Sequence, residues 1–409
     1  MADAYIFDAV RTPRGKGRPA RGDRLGGALC AISPQSLVAG LIGALEERCP
    51  GMSSSVKRLI LGCVGQVGVQ GGHIALVSRL ASNLPDTVAV KTVNNYCVSG
   101  LSAVTDAALW AQSEAGGLSL AGGVECLSQV KFLADKAAYY SDPDVMRDLR
   151  YAPPVMGAEL MASLEGYAKD DLDRVSLMSH KRAAKAWADG RYASSVIPVK
   201  DEKGQTILDQ DELIRGDMEL DDIASMPPAF AAQGAAGFDD MMLREYPALD
   251  EISHVHSVAN CPGMADGASL VLVGNRAAGE RAGLVPRARI TAFAEISDDP
   301  VLQFTAGFSA MELVLKQAGL SLADMDRIEF MEAFAAVPLK FQRDYDVDWD
   351  KVNVNGGHLA MGHPMGATGG ILVTALTHEL ERCGGQFGLV VAHAGSGIGM
   401  AMVIERVCA

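Results

Sequence analysis

Three things are scarce in this 409-residue sequence: paired cysteines, positive charge and long apolar runs. Its eight cysteines stand at 30, 49, 63, 97, 126, 261, 383 and 408, and no two form a Cys-x-x-Cys pair. That spacing argues against a zinc knuckle or a disulfide framework, and it leads us to expect a reducing, cytoplasmic setting. Lysine and arginine number 36 against 50 aspartates and glutamates, a formal charge of −14. A nucleic-acid grip calls for a basic face, so nucleic acid is not the expected partner, and any anionic ligand must rely on a local cation. No stretch reaches the ~18 apolar residues of a membrane span, so no membrane partner is expected. The start, Met1-Ala-Asp-Ala-Tyr-Ile-Phe-Asp8, meets an acid too soon for a signal peptide, and Arg406-Val-Cys-Ala409 is neither a targeting tripeptide nor a prenylation box. The eight histidines lack ligand spacing, so no metal is expected; His254 and His256, two apart, suit one face of a strand.

What is present is ordinary globular material. Hydrophobic residues make up 49% and charged residues 21%, which excludes a disordered chain. At roughly 100–200 residues per domain the length suggests two or three lobes. The 44 glycines follow no three-residue period, so they read as tight turns and close backbone approaches rather than collagen.

Strand-like and helix-like segments alternate. Tyr5 to Phe7, Val56 to Val64, Val88 to Val93 and Leu118 to Ala121 read as strands, with helices over Ser36 to Glu47 and Leu101 to Gln112. The same order returns later: a helix over Met311 to Gly319, strands at Arg327 to Phe330 and Val352 to Val354, a helix over Ile371 to Leu380, and a buried strand from Phe387 to Ala392. This alternation implies parallel sheet with crossover helices. Asn94 and Asn355 each close a strand before a small-residue loop and a helix, which suggests a duplicated α/β unit. Between the halves, residues 127 to 255 are rich in charge and methionine, with an amphipathic helix around Lys169 to Asp189; they read as an insertion capping one face.

Four segments could carry chemistry, one of them Glu329-Phe-Met331-Glu-Ala-Phe-Ala-Ala at a strand end. In Asn94-Asn-Tyr-Cys97-Val-Ser-Gly-Leu, a cysteine lies between a strand end and a helix start, where free N–H groups and the helix dipole favour a thiolate and a lowered pKa. Position alone leaves a nucleophile and an inert buried cysteine both open. Gly356-Gly-His358-Leu-Ala-Met-Gly-His363-Pro supplies a histidine whose backbone is restricted by the following proline; Cys with His is the minimum for an activated thiol. Ala392-His393-Ala-Gly395-Ser-Gly follows the last strand and could expose N–H groups to an oxyanion, or could be a plain turn.

Together these motifs, with Asp8-Ala-Val-Arg-Thr-Pro and Gly122-Gly-Val-Glu, resemble the thiolase family of coenzyme A-dependent acyltransferases over nearly the whole chain. The resemblance implies a five-layered αβαβα fold of two similar halves, with an inserted loop domain over the coenzyme A site: residues 1–126 plus 256–280, residues 127–255, and residues 281–409. It implies Cys97 as acyl acceptor and His363 as the base that activates it and donates to the thioester oxygen. The N–H groups of Cys97 and Gly395 match an oxyanion hole. Met156, Gly263, Ala333 and Phe334 match positions along the pantetheine channel, and Arg215 matches a cation near the nucleotide end. Coenzyme A and acyl-CoA thioesters are then substrates, no cofactor is needed, and a homodimer or homotetramer is expected.

The sequence departs from the family at two catalytic places. Met331 stands where an asparagine or histidine usually supports a second oxyanion hole, and methionine cannot donate. His393 stands where a cysteine usually moves the second substrate's proton; an imidazole can also do this near neutral pH. Cys261-Pro-Gly263 replaces a more usual Ala-Ser-Gly, and Gly307-Phe308 a usual Gly-Pro. His358 is expected to be structural. The leading expectation is degradative cleavage of a 3-oxoacyl-CoA by coenzyme A, giving acetyl-CoA and a shortened acyl-CoA through an acylated Cys97. The alternatives are an acetyl-CoA acetyltransferase making acetoacetyl-CoA, or an acyl-CoA-binding protein without full turnover.

Overall fold

A computed structural model describes residues 3–407. In chain order the elements that matter are β1 (Ala4–Arg11), α1 (Pro34–Arg48), β2 (Val56–Gly62), α2 (Ile74–Leu80), β3 (Ala89–Val93), α3 (Ser99–Gln112), β4 (Leu118–Cys126), α4 (Pro154–Glu165) and α5 (Lys169–Ala188). They continue with β5 (Ala265–Gly274), β6 (Ala288–Ser297), α6 (Ala306–Ala318), β7 (Arg327–Phe330), α7 (Ala336–Tyr345), α8 (Thr368–Cys383), β8 (Phe387–Ala394) and β9 (Ile398–Arg406). Capping residues set several ends. α1 begins two residues before the expected Ser36 because Ser33 accepts the Ser36 N–H and Pro34 fits the first turn. α3 begins at Ser99, whose hydroxyl donates back to the Tyr96 carbonyl at 2.6 Å.

The strands run β3-β2-β4-β5-β1 in one half and β6-β9-β8-β7 in the other. Val352 adds a single parallel bridge to Ile328, all that forms of the strand expected there. The sheet is mixed: the expected parallel pairing with crossover helices holds for part of it only. β2 is parallel to β3 and β4, and β7 to β8, whereas β5 runs antiparallel to both β4 and β1. The reasons are topological: β5 re-enters after the long excursion between β4 and β5, and β8 turns into β9 through only Gly395–Gly397, too short for a crossover. The two halves also meet edge to edge, Ala4, Tyr5 and Ile6 of β1 pairing with Ile290, Arg289 and Ala288 of β6.

The layers are helix, sheet, helix, sheet, helix. α1 and α2 cover the outside of the first sheet, α3 and α8 lie in the middle, and α6 covers the second sheet. α8 touches strands of both sheets and packs on α3. Small residues let these two helices meet backbone to backbone: a Cβ on Gly369 would lie 2.0 Å from the Leu101 nitrogen. This crossing holds the loop before α3 and the loop before α8 side by side. Those loops carry Cys97 and His363.

Candidate active site

Cys97 sits at a strained bend. Tyr96 before it has φ +47, a left-handed conformation costly for a side chain of this size. Side chains tie the bend down: the Tyr96 N–H donates to Asn94 Oδ1 at 3.1 Å and the Asn95 N–H to Ser99 Oγ at 2.8 Å. Asn95 Nδ2 reaches Ser102 Oγ at 3.0 Å and Glu295 Oε1 at 2.9 Å, linking the loop to the other half. The bend turns the thiol into a cavity of about 400 Å³. Burial pushes the thiol up to about 12, although the backbone N–H groups of Gly395 and of Cys97 itself lower it. This corrects the expected lowered pKa: α3 starts two residues beyond Cys97, and desolvation outweighs the N–H groups there.

His363 faces the same cavity from the other loop. Its backbone N–H donates to the Gly263 carbonyl at 2.8 Å, and its Nδ1 shares a hydrogen bond of 2.8 Å with Thr368 Oγ1. Nε2 is buried and has no partner in the protein. Burial, helped by the Arg14 guanidinium, pushes this imidazole down to about 3. At rest the pair is therefore a neutral thiol and a neutral imidazole. Arg14 is itself buried and donates to the Gly362 carbonyl at 2.8 Å, fixing the chain just before His363. Burial, with Arg11 beside it, lowers Arg14 to about 10. Asp211 pairs bidentately with Arg11 at 2.7 and 2.9 Å and accepts the Arg14 N–H at 2.8 Å.

One buried carboxylate joins the machinery from below. Glu125, at the end of β4, accepts the N–H groups of Val64 (2.9 Å), Gly65 (3.0 Å) and Gly366 (3.0 Å) and the Gln70 amide (2.6 Å). Burial pushes its pKa up while these donors hold it down. Neither Glu125 nor Thr368 was assigned a role from sequence. The available signal was a charged residue closing an apolar strand in Gly122-Gly-Val-Glu125, which must find partners once buried.

Of the expected site residues, Cys97, His363, Gly395, Met331, Ala333 and Phe334 all line the one cavity. Met331 is buried, and its backbone N–H is taken by the Val391 carbonyl at 2.9 Å, so it presents no donor there. Four expectations need correction. Met156 is fully buried against Leu160, Met241 and Met242 and does not reach the cavity; Pro154 and Val155 do. Gly263 holds His363 through its carbonyl, while its neighbours Pro262 and Met264 supply the wall. Arg215 is exposed and off the cavity wall, its N–H donating to His180 Nδ1 at 3.1 Å.

His393 is the largest departure. It is fully buried, and its ring packs at 5.1 Å from Phe308 and 5.0 Å from Phe330 by centroid, away from the cavity wall. Neither ring nitrogen has a hydrogen-bond partner, and burial pushes it down to about 3, only partly opposed by the Phe304 backbone. A ring larger than cysteine at this place turns into the Phe308–Phe330–Phe341 stack, where Gly307 leaves room for it.

His358 is buried 5.6 Å from His363, ring edge to ring face, with both nitrogens unpartnered. His254 and His256 do not share a strand face; both approach the Glu159 carboxylate, His256 Nδ1 at 2.9 Å. Among the described residues, no group of three His, Cys, Asp or Glu is placed to hold a metal ion, and no helix is long and apolar enough to cross a membrane.

Known proteins resemble this chain over its whole length. Residues 4–241 match the model of the thiolase N-terminal domain and residues 284–406 that of the thiolase C-terminal domain. The 3-oxoadipyl-CoA/3-oxo-5,6-dehydrosuberyl-CoA thiolase of Escherichia coli K12 is 34% identical across the whole of both chains. The 3-ketoacyl-CoA thiolase of Klebsiella pneumoniae is 32% identical, again over the full length of both. Among solved structures, the acetyl-CoA acetyltransferase of Bacillus anthracis and the human mitochondrial 3-ketoacyl-CoA thiolase each superpose with a TM-score of 0.84. They are 28% and 27% identical, and each comparison covers 100% of this chain and 99% of the other.

Proposed function

The chain belongs to the thiolase family and is an acyltransferase acting on coenzyme A thioesters, and from that premise we propose that it works in the degradative direction, cleaving a 3-oxoacyl-CoA with coenzyme A. The observation that carries this reading is that Cys97, His363 and Gly395 line one cavity, with the thiol and the imidazole both neutral.

With Nδ1–H donating to Thr368, Nε2 of His363 is the free lone pair. It takes the Cys97 proton as Sγ attacks the C3 carbonyl of the substrate. The C2–C3 bond breaks, C2 leaves with the electron pair and receives the proton from His363, and acetyl-CoA departs. An acyl group remains on Sγ. The N–H groups of Cys97 and Gly395, which lower the thiol's pKa, then receive the acyl oxygen as it becomes anionic. A second coenzyme A thiol then gives its proton to His363, attacks the acyl carbon and releases Cys97, which recovers that proton. His393 takes no part in this cycle.

Met331 supports the degradative direction over condensation. Condensation requires an enolate oxygen to be held while a new C–C bond forms, and Met331 puts a thioether on that wall where a donor would help. Loss of one oxyanion donor costs roughly 10²–10³ in rate. The test is twofold. After exposure of the full chain to acetoacetyl-CoA, mass spectrometry is expected to find an acetyl adduct on Cys97 that coenzyme A discharges. Acetyl-CoA alone is expected to give acetoacetyl-CoA at a rate at least about 10²-fold below thiolysis. Comparable rates in the two directions would overturn the assignment of direction.

A further inference from the structure

We propose that the acyl side of this cavity is a tyrosine-walled pocket suited to a compact, ring-bearing acyl group that carries an oxygen substituent, in preference to a straight alkyl chain or a chain ending in a carboxylate. This assignment rests on the thiolytic reading above and specifies its substrate class.

Four of the nine tyrosines, Tyr96, Tyr139, Tyr140 and Tyr151, line the cavity. Tyr96 is the chain neighbour of Cys97, so an acyl group on Sγ lies beside it. The other three form one packed cluster: Tyr139 and Tyr151 stand edge to face at 5.0 Å and 74°, with Tyr140 6.0 Å from Tyr151 and 6.4 Å from Tyr139. These are the separations at which aromatic rings attract edge to face, so a flat ring entering beside them extends the same packing. The cavity of about 400 Å³ lies near the lower end of the roughly 300–1,000 Å³ range for small-molecule sites, which favours a short, compact acyl group over a long one.

The hydroxyls add a polar requirement. Tyr139 donates to Ser396 Oγ at 2.9 Å and Tyr140 donates to Asp135, so these two are already satisfied. Among the described residues the Tyr96 and Tyr151 hydroxyls have no hydrogen-bond partner, unlike those of Tyr139 and Tyr140. An alkyl group that displaces water from this wall leaves both without a partner, whereas a hydroxyl, ether or carbonyl on the acyl group can meet them. With His363 neutral, the charged side chains on the wall are Lys131 and Asp135, one of each sign and both exposed, so the pocket offers no net attraction to a carboxylate.

The experiment is a panel of thiolysis rates on the full-length protein. The probes are acetoacetyl-CoA, 3-oxohexanoyl-CoA, 3-oxoadipyl-CoA, 3-oxo-3-phenylpropanoyl-CoA and its 4-hydroxyphenyl counterpart. The hydroxyphenyl probe is expected to exceed 3-oxohexanoyl-CoA in kcat/KM by about tenfold or more. Tyr96→Phe and Tyr151→Phe, which keep the rings, should erase its advantage over the phenyl probe. Tyr151→Leu should shrink the ratio of phenyl to hexanoyl rates about tenfold; each ratio is internal to one protein and independent of how much folds. A best rate with 3-oxohexanoyl- or 3-oxoadipyl-CoA, or tyrosine variants that keep the original ratios, would overturn the pocket assignment alone, provided acetoacetyl-CoA still acylates Cys97. If no probe acylates Cys97, the thiolytic reading fails and the pocket assignment falls with it.

Discussion

The loop before α3 and the loop before α8 occupy matching places in the two halves, each between an edge strand and a central helix, yet they are held by opposite means. The Cys97 loop follows a strand that is only partly buried, and it is kept in shape by local strain and side-chain hydrogen bonds from Asn94, Asn95 and Ser99. The His363 loop is buried from Gly356 through Thr368 and is held by backbone contacts to Gly263, by Arg14 and by Glu125. The difference fits the tasks proposed for Cys97 as nucleophile and His363 as base. A nucleophile must be reachable by a bulky thioester, so its loop cannot be covered. A base whose pKa is kept low must be dry, so its loop must be covered.

The sharpest way to break this pairing is to remove both chemical groups. Cys97→Ala and His363→Ala should each lower kcat/KM by at least about 10³-fold, and the double variant should be little worse than either, because groups that act as one unit are not additive. Steady-state thiolysis of acetoacetyl-CoA measures this; fully additive losses would mean that the two loops act independently.

Next in size is the joint between the loops. Glu125→Ala leaves the N–H groups of Val64, Gly65 and Gly366 without their acceptor, and an unsatisfied buried donor costs about 1–3 kcal/mol. A loss of about 3 kcal/mol or more in urea unfolding is expected, together with reduced activity in whatever protein remains folded. Thr368→Val tests the covered loop alone. Without its Nδ1 partner, His363 loses the preference for the tautomer with a free Nε2, and kcat should fall about tenfold with little change in KM.

The smallest effects are expected absences of change. The thiol is raised to about 12 and the imidazole lowered to about 3, so neither gains nor loses a proton between those limits. For acylation by acetoacetyl-CoA, kcat/KM should therefore vary by less than about threefold from pH 6 to pH 9. A bell-shaped profile centred in that range would mean instead a thiolate–imidazolium pair. His393→Phe should leave turnover within about threefold, because the ring only fills the Phe308–Phe330 stack; a loss of 10² or more would restore His393 to the chemistry.

Sequence reading located the elements well where the pattern was strong. The strand at Arg327–Phe330 has the expected bounds, and the helices begin or end within a few residues of expectation; at the first of them Ser33 adds a capped turn that periodicity does not register. Motif reading brought Cys97, His363, Gly395, Met331, Ala333 and Phe334 to what is one cavity. It was weaker wherever a residue's role depends on which way its side chain turns. Met156 and His393 stand at positions that the family motifs single out, yet one packs among buried side chains with Leu160 and the other in a phenylalanine stack. Strand direction was misjudged for a related reason: alternation of strands and helices carries no record of the face from which a strand returns after a long excursion.

By itself, then, the order of residues determined the class of fold, the family and the two chemical groups, because these depend on periodicity, turn residues and local motifs. Tertiary packing decided the surroundings of Cys97 and His363, the burial of His393 away from the cavity and the tyrosines that line it. Those depend on desolvation and on contacts between segments hundreds of residues apart, and both come into being only when the two halves close around α3 and α8.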